Sequence, residues 1–349
     1  MSDETPVHKR RARYRGSHPR RFEEKYKEHD PARYADEVQH VIAKGKTPAG
    51  MHLPICVEEI LSVLKPAAGE VALDATLGYG GHARRLMPHL LPGGRLFAID
   101  VDPVELPRSE ARMRALGYTE ECFVARQMNF SALRSLLGES GGFDCIVADL
   151  GVSSMQLDNP ARGFSYKLEG PLDLRLNPGR GQAAWEMLAA MSLERLEKVL
   201  REYADEPYSQ EIARAIKAHR QPPTTTQALS ALVKTTLKRR APEGAIRKSL
   251  QRTFMALRIA VNEEFGALDR FLAHLPACLK PAGRVAILSF HSGEDRRVKR
   301  AFACGREEGW YDEIAPTPVV PGAEERRLNP RSACAKLRWA VRSEKPLLA

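Results

Sequence analysis

The stretch that decides the fold is Val71-Ala-Leu-Asp-Ala-Thr-Leu-Gly-Tyr-Gly-Gly-His82. A short apolar run ends in Asp74, glycines follow at 78, 80 and 81, and residues 83–91 have helical character. Strand, glycine turn and helix start, in that order, mark the carboxyl end of a strand in an open α/β sheet. There the backbone can approach a small ligand closely. The glycines permit positive φ and remove the Cβ atoms that would hold a ligand away. Taken alone, the turn is equally compatible with a structural role.

Working outward, apolar strands alternate with helices. The first strand, 71–77, is followed by strands at 94–102, 122–130 and 143–150, which predicts a parallel sheet covered on both faces. Upstream, Val57, Ile60, Leu61 and Leu64 have helical spacing, and Pro66 ends that segment. The next strand, 283–291, comes far too late for a simple crossover. The intervening chain reads as helical at 183–190, 193–203, 208–219 and 226–238, with Thr224-Thr225-Thr226 capping the last of these. This insert carries most of the chain's excess positive charge. In the tail, 310–314 and 335–341 read as edge strands. The expected organisation is a basic N-terminal arm at 1–50, a first core segment at 51–154, an inserted helical domain at 155–255, and a second core segment with tail at 256–349.

The 349 residues are 43% hydrophobic and 28% charged, an ordinary globular composition. No apolar run is long enough to span a membrane, and the N-terminus lacks the apolar core of a secretory signal, so a cytoplasmic protein is expected. The formal net charge of +10 points to a polyanion partner. The arm contains Lys9-Arg-Arg-Ala-Arg-Tyr-Arg15 and Arg20-Arg21. It has too few large apolar residues to fold alone. It reads either as a solvated tail or as an RNA contact in which Tyr14 and His18 stack. The six cysteines are scattered without a CxxC pair, so neither a metal site nor a disulfide framework is expected.

Three strand ends carry candidate chemistry. Asp100 closes the second strand, where a carboxylate can accept from both hydroxyls of a ribose. That placement suits a nicotinamide or an S-adenosylmethionine site. The turn lacks the third glycine that would seat a pyrophosphate, which favours a cofactor without phosphates. Asp102 reads as a turn carboxylate. Asp149 closes the fourth strand and faces the same crevice. There it is either a cap or an acceptor that orients a weakly nucleophilic amine toward a methyl group. Ser153, Ser154 and Gln156 could add hydrogen bonds. His291 reaches the same edge from the fifth strand and is a second catalytic candidate. No Ser-His-Asp order and no phosphate-binding G-x-x-x-x-G-K is present, so hydrolase and NTPase readings have no support.

Several further stretches accompany 73–82 in a fixed order: His52-Leu-Pro, Ala98-Ile-Asp-Val-Asp102, Asn129-Phe130, Asp149-Leu-Gly-Val-Ser-Ser-Met-Gln-Leu-Asp158 and Arg162-Gly-Phe-Ser-Tyr166. Gly170-Pro-Leu-Asp-Leu-Arg175, Arg252-Thr-Phe, Ala256-Leu-Arg-Ile-Ala-Val-Asn262, Ser289-Phe-His-Ser292 with Glu294-Asp295, Asn329-Pro-Arg331 and Ala335-Lys-Leu-Arg338 complete the set. Together they resemble the RsmH (MraW) family, which methylates the N4 amine of a decoding-centre cytosine in bacterial small-subunit (16S) ribosomal RNA. The resemblance implies a class I, Rossmann-like methyltransferase domain with a helical insert after the fourth strand, and S-adenosyl-L-methionine as cofactor. It implies that Gly80, Gly81 and His82 hold the methionine end and Asp100 the ribose. Phe130 would lie beside the adenine, with Asp149 and Gln156 closing the site. The implied partner is small-subunit ribosomal RNA, within an assembled or assembling subunit; a homodimer stays open.

The sequence also departs from the family. A bulky apolar residue usually stands at Gly293, Gln at Met255, Met-Arg-Met-Asp at Leu174-Arg-Leu-Asn177 and Arg-Ser at Ala333-Cys334. Lys248-Ser-Leu-Gln251 replaces the expected His-Pro-Ala-Thr, and the arm is longer than usual. These differences fall in the insert and tail, which the resemblance assigns to RNA. The alternatives are a paralogue acting on another nucleotide, a non-catalytic RNA-binding assembly factor and, more distantly, a nicotinamide oxidoreductase.

Overall fold

The computed structural model of the protein describes residues 54–219 and 221–345. The basic arm expected at 1–50, with Tyr14 and His18, lies outside them. Strands β1 (Val71–Asp74), β2 (Arg95–Asp100), β3 (Phe123–Gln127), β4 (Phe143–Asp149), β5 (Leu279–Ser289), β6 (Tyr311–Ile314) and β7 (Lys336–Arg342) form one sheet. Their order is β3-β2-β1-β4-β5-β7-β6. The first five pair in parallel, whereas β7 runs antiparallel to both β5 and β6. Of the two strands expected at the edge, only β6 is at an edge.

Alternation along the strands builds two cores. Leu73, Phe97, Ile146 and Ile287 face one layer, closed by Leu268, Phe271 and Leu275 of helix Glu264–Cys278 and by Val298 and Phe302 of helix Ser292–Glu307. Ala72, Leu96, Ala98, Cys145 and Val147 face the other, closed by helices Val57–Leu64, Gly81–Leu90 and Glu105–Ala115. A strand apolar on both faces must be covered twice, which is why helices flank this sheet. Each fully buried Leu or Phe contributes about 1.5–3 kcal/mol.

Elsewhere the structure adjusts what was expected. The segment after β3 is a 3-10 helix, Phe130–Leu136, in place of an α-helix. The insert has a core of its own, with buried members from Phe164 to Leu257. Helix Glu243–Asn262 runs straight through the boundary expected at 255/256. The chain turns instead at Glu263, in the left-handed region at φ 50°. From there helix Glu264–Cys278 returns to the sheet and leads into β5, which begins at Leu279. No described helix is long and apolar enough to cross a membrane.

Strand order reverses between β1 and β4: the chain proceeds from β1 to β2 on one side and from β4 to β5 on the other. Crossover connections diverge there and leave a crevice at the carboxyl ends of the two strands. Asp74 and Asp149 are the last residues of those strands.

Candidate functional site

The loop after β1 is pinned between its neighbours. Ala75 N donates to Val147 O at 2.8 Å and Leu77 N to Ile99 O at 2.9 Å, so the chain leaves the sheet between β4 and β2. Gly78 and Gly80 have φ of 49° and 84°, where a side chain would be strained. Gly78 N donates to Asp100 Oδ2 at 2.7 Å. The glycine turn and the strand-end carboxylate are therefore one unit. Asp100 Oδ1 accepts from Asp102 N at 2.9 Å. Burial pushes the Asp100 carboxyl up to about 6 even though these N–H groups pull it down.

Helix Gly81–Leu90 then carries His82 into the crevice, 6% exposed. Its Nε2 stands 3.4 Å from Asp149 Oδ2, close enough to pair as charges but off hydrogen-bond geometry. Burial works against the protonated ring, but the Asp149 carboxylate, with Asp74 and Glu325 behind it, outweighs burial and raises the His82 pKa. Thr76 Oγ1 accepts from Asp149 N at 2.6 Å, which ties the end of β4 to the loop after β1. Asp74 is 1% exposed, and burial lifts its carboxyl to about 6 against the opposing pull of His82 and the Thr76 N–H.

Asp74 Oδ2, Asp149 Oδ1 and His82 Nε2 are buried with no hydrogen-bond partner. Native proteins seldom leave such atoms unpaired, and three of them converge on this crevice. Two carboxylate oxygens and one imidazole nitrogen match the ammonium and carboxylate of an α-amino acid group. An amino acid end of a cofactor therefore fits the residues present.

Asp102, read from sequence as a turn carboxylate, is fully buried. Its Oδ2 accepts from Gln156 Nε2 at 2.7 Å and from Arg162 Nη1 at 2.8 Å. Gln156 Oε1 accepts from Ser153 N at 2.9 Å, closing a capping box on the short helix Ser154–Asp158. Both ends of the Gln156 amide are thus engaged within the protein beside the crevice. No local signal distinguishes Asp102 from an ordinary turn residue, because its partners come from 54 and 60 residues away.

Phe130 opens the 3-10 helix beyond β3 and packs edge-on against Phe271, with ring centroids 5.1 Å apart. Met128 N donates to Asp100 O at 3.0 Å, so this segment borders Asp100.

His291, expected as a catalytic group, has its ring contacts at the start of the helix that follows β5. Its Nδ1 accepts from Glu294 N at 3.4 Å as the cap of helix Ser292–Glu307, and its Nε2 lies 3.1 Å from Glu294 Oε1. Its ring packs at 5.6 Å from Phe265. The geometry gives it a capping role. The spacing His291-x-x-Glu294 was the available signal, since a polar residue three positions before a glutamate marks a helix start. Gly293 lies under the same phenylalanine, and a Cβ there would sit 2.6 Å from Phe265 Cζ. Phe265 therefore fills the space that a side chain at 293 would need. A separate groove of about 480 Å³ between helices Glu264–Cys278 and Ser292–Glu307 is lined by Asp269, Arg296, Arg297, Arg300 and Trp310 and shares none of the crevice residues.

Comparison with known proteins bears on this site. Residues 49–343 match the model of the MraW methylase family. The chain is 52% identical over 350 residues to "Ribosomal RNA small subunit methyltransferase H 2" of Alkaliphilus metalliredigens, covering 98% of this chain and 100% of that one. It is 48% identical over 347 residues to "Ribosomal RNA small subunit methyltransferase H 1" of Lachnoclostridium phytofermentans, covering 98% and 95%. To "Ribosomal RNA small subunit methyltransferase H" of a Synechococcus strain it is 41% identical, covering 84% and 92%. On a match that spans both core segments and the insert, this chain belongs to the MraW methylase family.

Proposed function

We propose that the protein transfers a methyl group from S-adenosylmethionine to the N4 amine of a cytosine in the decoding region of small-subunit ribosomal RNA. The observation that carries this is the set of unpartnered polar atoms at the switch point, Asp74 Oδ2, Asp149 Oδ1 and His82 Nε2. The first would accept from the cofactor's ammonium and the last would donate to its carboxylate. Gly80 and Gly81 let the backbone approach the same end. Asp100 would take the ribose, Phe130 would border the adenine, and Gln156 would close the site. When bound, the cofactor supplies an electrophilic methyl group on a sulfonium.

The acceptor amine is a poor nucleophile because its lone pair is delocalised into the base. Asp149 at the end of β4 would accept an amine N–H and turn the nitrogen lone pair toward the methyl group. Orientation supplies most of the rate gain, and the departing proton leaves through Asp149 or to water. His82, 3.4 Å from Asp149, would keep that carboxylate aimed. The helical insert, with its excess of basic residues, would hold the RNA phosphates.

Small subunits from a strain lacking the methyltransferase, incubated with the protein and labelled cofactor, should gain label on a cytosine N4 when nucleosides are mapped by mass spectrometry. Absence of any label in RNA refutes the proposal. Label on another nucleotide refutes only the target.

A second reading, a paralogue with another target nucleotide, has support of its own. The relatives whose names carry a copy number match 95–99% of this chain. Those without one match 83–85%, leaving uncovered a length comparable with the basic arm. A non-catalytic assembly factor is distinguished by Asp149→Ala, which in that case would complement a deletion as well as the wild type.

A further inference from the structure

Two places that methyl transfer would need at the same moment, the ribose site and the insert, are joined by one buried ion pair. Asp102 donates its backbone N–H to Asp100 Oδ1 at 2.9 Å, so its position follows the proposed ribose ligand. Its side chain meets Arg162 at 2.8 Å, with the two side chains 0% and 9% exposed. Through Nη2 the same guanidinium donates to Arg175 O at 3.1 Å and Leu176 O at 2.8 Å.

Those carbonyls belong to a strap, residues 172–177, whose other supports lie in the insert. Asn262 Nδ2 donates to Leu174 O at 2.7 Å, and Asn262 Oδ1 accepts from Leu176 N at 2.7 Å. Leu172 N donates to Thr224 O at 2.8 Å. Leu174 is fully buried in the left-handed region at φ 64°. That conformation is strained for a leucine, so it persists only because bonds from both sides over-determine it. The strap also has no slack where it meets residues 160–163. A Cβ on Gly163 would fall 2.1 Å from Pro171 O, and one on Gly170 would fall 1.9 Å from Pro160 O.

A buried ion pair of this kind is weak as a source of stability, because desolvation offsets most of the attraction; what it can supply is a unique arrangement. We infer that the Asp102–Arg162 pair couples cofactor binding to RNA binding: a cofactor on Asp100 and an RNA on the insert favour the same placement of the strap, so each tightens the other. Asp102 and Arg162 are positioning residues, acting through Asp100 and the strap. The inference rests on the function proposed above. Coupling between two binding events is reciprocal and typically amounts to about 5-fold to 150-fold.

The test is equilibrium dialysis of labelled S-adenosylhomocysteine with the full chain, with and without saturating small subunits from the deletion strain. In the wild type, subunits should tighten binding about 5-fold or more. In Asp102→Asn and Arg162→Lys, which keep size and part of the hydrogen bonding, that factor should fall toward one. A merely structural role would weaken binding equally with and without subunits and leave the factor intact, which overturns the inference. A wild type without coupling overturns it as well. Hydrogen exchange on the wild type gives a second readout that needs neither variant to fold. S-adenosylhomocysteine alone should slow exchange at the Leu174 and Leu176 amides, and unchanged exchange refutes the link. Subunits that neither bind nor accept methyl groups from the wild type refute the proposed function, while the exchange measurement, which uses no RNA, still decides whether the cofactor site is linked to the strap.

Discussion

Replacing Asp74 by asparagine is expected to stabilise the protein while weakening its hold on the cofactor. Asp74 Oδ1 accepts from Thr76 N at 3.1 Å, and an asparagine oxygen can do the same. The other oxygen is buried and unpartnered. Burial lifts the carboxyl from 3.8 to about 6, so the folded state holds this proton more tightly than the unfolded state does. The contribution to stability is therefore full at low pH and is lost as pH rises from the unfolded value through the folded one. About two pH units at about 1.4 kcal/mol each make the ionised carboxylate a liability of about 3 kcal/mol at pH 8, and about half that at pH 5. Urea denaturation of both proteins at the two pH values reads this directly. The substituted amide carries no charge, so Asp74→Asn should gain on the order of 2–3 kcal/mol at pH 8 and distinctly less at pH 5. Binding of S-adenosylhomocysteine should fall about 10-fold or more, since a hydrogen bond to a charged group contributes about 1.5–3 kcal/mol. A variant less stable than the wild type at pH 8, or a gain that does not change with pH, refutes the idea that a desolvated carboxylate is kept there for a ligand.

Wild-type affinity for S-adenosylhomocysteine should rise as pH passes through about 6, where Asp74 and Asp100 ionise, and Asp74→Asn should flatten that profile in calorimetry. Asp149→Asn should lower methyl incorporation by about 100-fold or more, the usual effect of a lost acid–base group, and by more than it lowers cofactor affinity measured by dialysis. Gly293→Leu drives a side chain into Phe265 and should cost about 1–3 kcal/mol in thermal denaturation. Adding Phe265→Leu should recover part of that loss. Lys65 is exposed and caps helix Val57–Leu64 at φ 42°, so Lys65→Gly should raise stability by about 1 kcal/mol.

The strand ends Asp74, Asp100 and Asp149 and the glycine turn were legible because each lies within a few residues of the apolar run that defines its strand. The insert's helices were legible for the same reason, their apolar period being local. Other features were not. Nothing near Asp102 says that Gln156 and Arg162 will meet it. Nothing near Glu263 announces a left-handed turn, since no glycine or proline stands there. The place of β7 between β5 and β6 depends on antiparallel pairing across the tail.

The sequence by itself determined the class of fold, the alternation of strands and helices, and the carboxylates at the strand ends, because these follow from periodicity and placement over a few residues. Only the tertiary structure decided that Phe265 occupies the space above Gly293 and that Asp102 and Arg162 tie the crevice to the insert. Those outcomes depend on which distant segments come to share one buried volume. A chain's local pattern constrains that volume without naming its occupants.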